Sequence, residues 1–365
     1  TLSLLVLCLV HSPGIFAERS LPQTISLDLE SGVIPSYARF PHLAALNERE
    51  IRRIVANYVL NMTSRSRSVL TIRTSEYGNG IVSLNRDRTL NPVLNMNEVL
   101  NIENRIENET NHPGNPYICD DQSNGRYRID YLASLLSDPD AYYQVAGLPS
   151  TYQQLVDELF LEAGRNPPET AGFDRTRNRI VVPHSSIVIN REERVLFFER
   201  MNRQEGGTFY GSTDFPSIRS ATEEIFGNVE LRPLDYRGKA GEFIFPLRNG
   251  IHAYYLAGGN GARQGAAPAD VVQNQQLLGT LTASAHSNPQ IRPPTDCMRC
   301  HNGGLRGGNS AFEIGSWLAD PLIRGLISQF TVSRARDRFT TSQAYAARRD
   351  ADNQSYLNVL RNAEA

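Results

Sequence analysis

Cys297-Met298-Arg299-Cys300-His301 is the stretch on which the reading of this chain turns. Two cysteines with two residues between them, followed at once by histidine, have the spacing at which two thiols add to the two vinyl groups of one porphyrin while the imidazole ligates its iron. The expectation is one covalent haem c per chain, held by Cys297 and Cys300, with His301 neutral and bound to the iron. A structural zinc site would need four ligands, and no second CxxC or HxxxH is present. A thioredoxin-like CxxC would need no histidine and would follow a strand, which this one does not.

The opposite face of the iron is harder to assign. No methionine or histidine follows His301, so the usual downstream methionine of small cytochromes is excluded, and Met298 lies inside the attachment loop. The second ligand must come from upstream, from another chain or from water. The upstream candidates are Met201, His184, His252 and His286. Each also has a plain reading: Met201 as core filler, His184 as an exposed strand-end residue, His252 as packing or surface, and His286 as a loop histidine. Arg292, Arg299 and Arg306 are candidates to meet haem propionates, although a general arginine bias, with Lys239 the only lysine, is the simpler explanation of their number.

Outward from the motif, a polar loop with three prolines, residues 286–295, reads as a boundary. Downstream, residues 312–330 and 333–362 have helical patterns interrupted at Pro321. Upstream, residues 242–247 and 251–257 are two aromatic-rich runs joined by Arg248-Asn249-Gly250, where Asn-Gly favours a tight type I′ hairpin. Strands are also expected over 179–182, 185–190 and 194–199, and a helix over 267–278 with Pro268 at its start. Ser150 and Thr151 cap a helix carrying Leu155, Val156, Leu159 and Phe160. Nearer the start, Asn47 and Glu50 form a capping-box pattern before Ile51, Ile54, Val55, Tyr58, Val59 and Met62, a helix with one buried face. Short strands are expected over 68–75, 80–84 and 126–131, a helix over 97–108, and a breaker-rich loop over 111–124 holding His112 and Cys119.

The chain is thus expected to be α+β. Its parts are a partial signal segment over 1–17, a mixed N-terminal region over 18–145, a β-rich middle with an antiparallel hairpin over 146–280, and a mainly helical, cytochrome c-like haem domain over 281–365. With 365 residues there is material for a large core. The formal charge of −2 and 40% apolar content argue against a nucleic-acid partner or a charged-surface partner. Leu2 to Ala17 has the apolar body and small final residue of a secretory signal, and no other apolar run is long enough to span a membrane. Export to the periplasm or beyond is expected, and Cys119 is then a lone cysteine, most simply a buried apolar side chain.

Ala240-Gly241-Glu242-Phe243-Ile244-Phe245-Pro246-Leu247-Arg248-Asn249-Gly250, then Tyr254-Tyr255-Leu256, then Ala267-Pro268-Ala269-Asp270-Val271-Val272, and then the haem motif resemble a family of uncharacterised exported bacterial proteins with a single c-type haem motif. Arg39 to Leu46, Ala146-Gly147-Leu148-Pro149 and Asp214-Phe215 also fit, so the resemblance extends over most of the chain. It implies a haem-binding, redox role. Met201 stands where similar proteins carry histidine, which makes it the first candidate for the far side of the iron. A methionine there would raise the reduction potential relative to histidine.

Electron transfer with a redox partner protein is the leading expectation. One alternative is a peroxidase-like oxidoreductase with an open distal site, and another is a surface binding or sensory module in which haem is accessory.

Overall fold

A computed structural model describes residues 48–64, 66–69, 71, 81–83, 101, 126–128, 136, 138–161, 179–183, 195–202, 208–215, 217, 220, 240–267, 291–301, 304–305, 321 and 342–364. The elements in chain order are α1 (Glu48–Thr63), β1 (Ile81–Ser83), β2 (Arg126–Arg128), α2 (Pro139–Ala146), α3 (Tyr152–Leu161), β3 (Arg179–Pro183), β4 (Val195–Asn202), β5 (Thr208–Phe215), β6 (Ala240–Pro246), β7 (His252–Gly258), α4 (Thr295–Cys300) and α5 (Ser342–Glu364). The architecture is mixed α+β. The expected signal segment, the loop with His112 and Cys119, the strand over 185–190, the helix over 267–278 apart from residue 267 and the helix over 312–330 apart from residue 321 lie outside the described residues.

The centre is a five-stranded antiparallel sheet in the order β3-β4-β5-β6-β7. Its register aligns Phe198 with Ser212 and Ser212 with Glu242, and Glu242 with Leu256. Side chains alternate across the pleat, and the two faces have different work. Phe209, Phe243, Phe245 and Tyr255 share one face, where Tyr152 of α3 lies 4.2 Å from Phe243 between ring centroids. Glu242, Tyr254, His252 and Tyr210 share the other, which meets α4 and α5. Gly241 and Gly211 are small because the Phe243 ring lies over both: a methyl group on Gly241 would come within 2.5 Å of Cζ.

The β6–β7 hairpin differs from the two-residue turn that Asn-Gly suggests. The Gly250 N–H donates to the Leu247 carbonyl (2.9 Å), and the Leu247 N–H donates to Ile251 (2.8 Å). Arg248, Asn249 and Gly250 therefore form a three-residue loop with Gly250 in the left-handed position at φ 85°. Asn249 is recruited elsewhere. Its Oδ1 accepts from the Ile251 N–H and its Nδ2 donates to the Asn61 carbonyl of α1 (both 3.0 Å).

The free edge of β7 is closed by side chains. Tyr142 Oη accepts from the Tyr254 N–H (2.9 Å) and donates to the Tyr254 carbonyl (3.1 Å), while Tyr143 Oη accepts from the Leu256 N–H (3.0 Å). Both tyrosines sit on α2, which starts at Asp138 as N-cap and stops at Gly147, φ 71°. These caps fix where the hydroxyls point.

α1 departs from the expected single buried face: from Arg53 to Ser64 every described side chain is buried, polar ones included. The reason is its central place among α2, α5 and the hairpin. Its asparagines satisfy buried backbone groups instead of water, Asn61 Nδ2 donating to the Asn57 carbonyl (2.7 Å) and Asn57 Nδ2 to the Ala363 carbonyl (3.0 Å). The strand expected from residue 68 is absent at residues 68, 69 and 71, where serine hydroxyls accept from the backbone N–H groups of Ser66 and Ser68 and bend the chain instead. Pro321, read as a break, is itself helical. One hydrophobic cluster joins α1, α2, α3, β5 to β7, α4 and α5. None of the described helices is long and apolar enough to cross a membrane.

Candidate functional site

The pentapeptide forms the last turn of a short helix. Pro294 precedes α4, Asp296 fastens its start by accepting from the Arg292 N–H (2.9 Å), and the His301 N–H closes the turn on the Cys297 carbonyl (2.9 Å). Residues 297, 300 and 301 thereby stand at i, i+3 and i+4, neighbouring positions on one helical face. Cys297 is buried, 1% exposed, close to Tyr142 and Tyr143.

His301 sits between its own loop and the sheet. Its Nδ1 faces the Gly304 carbonyl at 3.3 Å, and its Nε2 faces Glu242 Oε1 at 3.4 Å. With the proton on Nδ1, Nε2 presents a lone pair to a carboxylate, and two acceptors repel. With the proton on Nε2 instead, the ring donates to Glu242 and turns its Nδ1 lone pair toward the Gly304 carbonyl. A backbone carbonyl holding Nδ1 is also the usual support for an imidazole that ligates metal through Nε2. The Tyr254 ring lies 6.1 Å from the His301 ring.

Gly304 is where it is because of α5. Asn353 Oδ1 accepts from the Leu305 N–H (2.6 Å) and Asn353 Nδ2 donates to the Leu305 carbonyl (2.9 Å). Gly304 has φ 96°, and a methyl group on it would come within 2.7 Å of Asn353 Cγ. Only glycine fits there.

One strand position away from Tyr254 on the same face, His252 is buried and stacks flat on Tyr356 of α5, rings 3.6 Å apart and 3° from parallel. Its Nδ1 has no hydrogen-bond partner. Burial first, and then the nearby His301, hold its pKa down to about 3, against a smaller opposing pull from Asp352. Asp352 itself accepts a short hydrogen bond from Tyr210.

Met201 stands in β4, paired with Phe209. His184, His286 and Arg306 lie outside the described residues. Among the described residues no three His, Cys, Asp or Glu side chains converge as a metal cage. The donor groups that the structure describes on this turn are the buried Cys297 thiol and the His301 imidazole beside the Gly304 carbonyl. Glu242, Tyr254, Tyr356 and Asn353 were not singled out from sequence. Glu242 alone carried a signal, as the one acid within the apolar run Ala240–Pro246. No protein-family model, curated protein or solved structure matches the chain.

Proposed function

We propose that this chain is an exported c-type haem protein that passes single electrons between redox partners through one covalently attached haem. The observation that carries the reading is the CxxCH turn, with the His301 imidazole braced at Nδ1 and directed away from its own loop at Nε2. The Cys297 and Cys300 thiols would each add S–H across one vinyl double bond, a step without net oxidation, and His301 Nε2 would bind the iron. The haem supplies a one-electron couple. The protein fixes the His301 ring, keeps bulk water from the Cys297 side and sets the surrounding polarity, the terms that tune a haem potential. The helical segment 281–365 is then the haem-bearing part and the β-rich segment 146–280 its scaffold. The signal-like Leu2 to Ala17 and the resemblance to exported single-haem proteins support the same reading.

Expression of the full chain in a host with c-type maturation machinery should give a denaturation-resistant haem with a c-type pyridine haemochrome spectrum. That haem should be lost in the double variant Cys297→Ala, Cys300→Ala. Full-length protein matured in such a host without covalent haem refutes the proposal.

A further inference from the structure

We infer that the seat of the CxxCH turn on the sheet is a closed position that excludes haem, latched by Glu242, and that haem reaches Cys297 and His301 only when the turn lifts away. The inference rests on the proposed haem function and adds a conformational gate to it.

Both ends of the motif are committed to the sheet. At one end, His301 Nε2, the nitrogen that would bind iron, faces Glu242 Oε1 at 3.4 Å. A carboxylate in that place stands where the iron and its flat ring would have to be. Glu242 cannot retreat with its strand, because β6 is paired on both sides, Glu242 itself with Ser212 and with Leu256. Its side chain is 34% exposed and can rotate toward water, which makes the contact a latch that opens. At the other end, Cys297 and Met298 are each 1% exposed, in the hydrophobic cluster that also contains Tyr142, Tyr143 and Tyr254. Protein interiors are close-packed, so a thiol buried to that degree has no slot beside it for a macrocycle. A thioether at Cys297 therefore requires the turn to move.

The attachments of the turn allow that movement. Before it, the Ala267 N–H donates to the Ile291 carbonyl (2.9 Å); after it, Asn353 holds both backbone groups of Leu305. Between these anchors α4 keeps its own backbone bonds, Met298 N–H to the Pro294 carbonyl and His301 N–H to the Cys297 carbonyl (both 2.9 Å), so it moves as a unit. The contacts that seat it are made by side chains: His301 on Glu242, and Cys297 and Met298 in the apolar cluster. The Asn353 anchor holds in both positions.

The test uses the full haem-free chain. Pulses of iodoacetamide, with the labelled cysteine identified by peptide mass spectrometry, should modify Cys297 at least about 100-fold more slowly in buffer than in urea. Uptake of added ferric haem, followed at the Soret band, should reach a limiting rate that more haem does not raise, the mark of an opening step that precedes binding. Glu242→Ala should raise the labelling rate and the limiting uptake rate about tenfold, whereas Glu242→Gln, which still bonds the imidazole nitrogen, should stay within about threefold of wild type. Met298→Ala removes a buried anchor and no ligand, and should raise both rates too. Labelling of Cys297 as fast in the folded chain as in urea overturns the gate and leaves the haem function standing. So does an uptake rate proportional to haem at every concentration and unchanged in Glu242→Ala. Absence of covalent haem from the matured protein overturns both.

Discussion

Replacing Asn353 by alanine should loosen the loop that orients the His301 ring while leaving the sheet intact. Two hydrogen bonds to the Leu305 backbone disappear, and Gly304, whose carbonyl faces His301 Nδ1, loses the side chain packed against it. Each such bond contributes about 0.5–1.5 kcal/mol net. Because the site is half-buried, water replaces part of the loss, and the expected destabilisation is about 1–2 kcal/mol. Gly304→Ala should cost at least as much, through the left-handed φ of 96° and the overlap with Asn353. In the double variant the overlap is gone and only the backbone strain persists. The pair should therefore be less damaging than the two single effects added, by about 1 kcal/mol. Urea unfolding followed by circular dichroism, with all four proteins in one series, measures this coupling. Additivity within experimental error would refute the clamp. A second readout separates orientation from stability: in holoprotein, Asn353→Ala should shift the reduction potential and the EPR g-values, which a merely structural loss far from the iron would leave alone.

Tyr142→Phe leaves the buried Tyr254 N–H and carbonyl without their partners and should destabilise the protein by about 2–4 kcal/mol, read by thermal unfolding; a loss below half a kcal/mol would show that the edge finds other partners. Gly241→Ala should cost about 1–3 kcal/mol by displacing the Phe243 ring, and Phe243→Leu should relieve most of that; an unchanged cost in the Leu background would contradict the packing argument. At high pH, Tyr142, Tyr143 and Tyr356 should act together. Burial raises all three above the ordinary value near 10, so below that pH they are neutral in both states, and above it the unfolded chain ionises first. Stability should therefore fall as pH rises past 10, by up to about 1.4 kcal/mol per pH unit for each tyrosine. The tyrosinate ultraviolet band of these residues should appear together with unfolding; full ionisation while the circular dichroism stays native would refute it.

What the sequence made legible follows from how local each signal is. The CxxCH spacing, the Thr151 helix start and the β6–β7 hairpin depend on a few neighbouring residues, and such patterns survive in any surroundings. The site around His301 is assembled from β6, β7 and α5, separated from the motif by tens of residues, and no local rule brings Asn353 to Leu305 or Tyr356 to His252. α1 illustrates the opposite failure. Its apolar periodicity indicated one buried stripe, yet tertiary contacts bury the asparagines between the stripes as well, because their side chains have backbone groups to bind. Gly250 was readable as a turn glycine, but the loop length depended on Asn249 reaching α1.

The tyrosines beside β7 also bear on how the protein behaves at high concentration. An open strand edge is a template for strands from other molecules. Here the hydroxyls of Tyr142 and Tyr143 occupy the hydrogen-bonding slots that an incoming strand would use, and the chain's own residues 262–264 run back over the far end, with Gln264 donating to the Leu256 carbonyl at 2.9 Å. Two aromatic side chains thus terminate the sheet as a strand would, without offering a further edge of their own. Loss of either hydroxyl should be felt as self-association as well as lost stability.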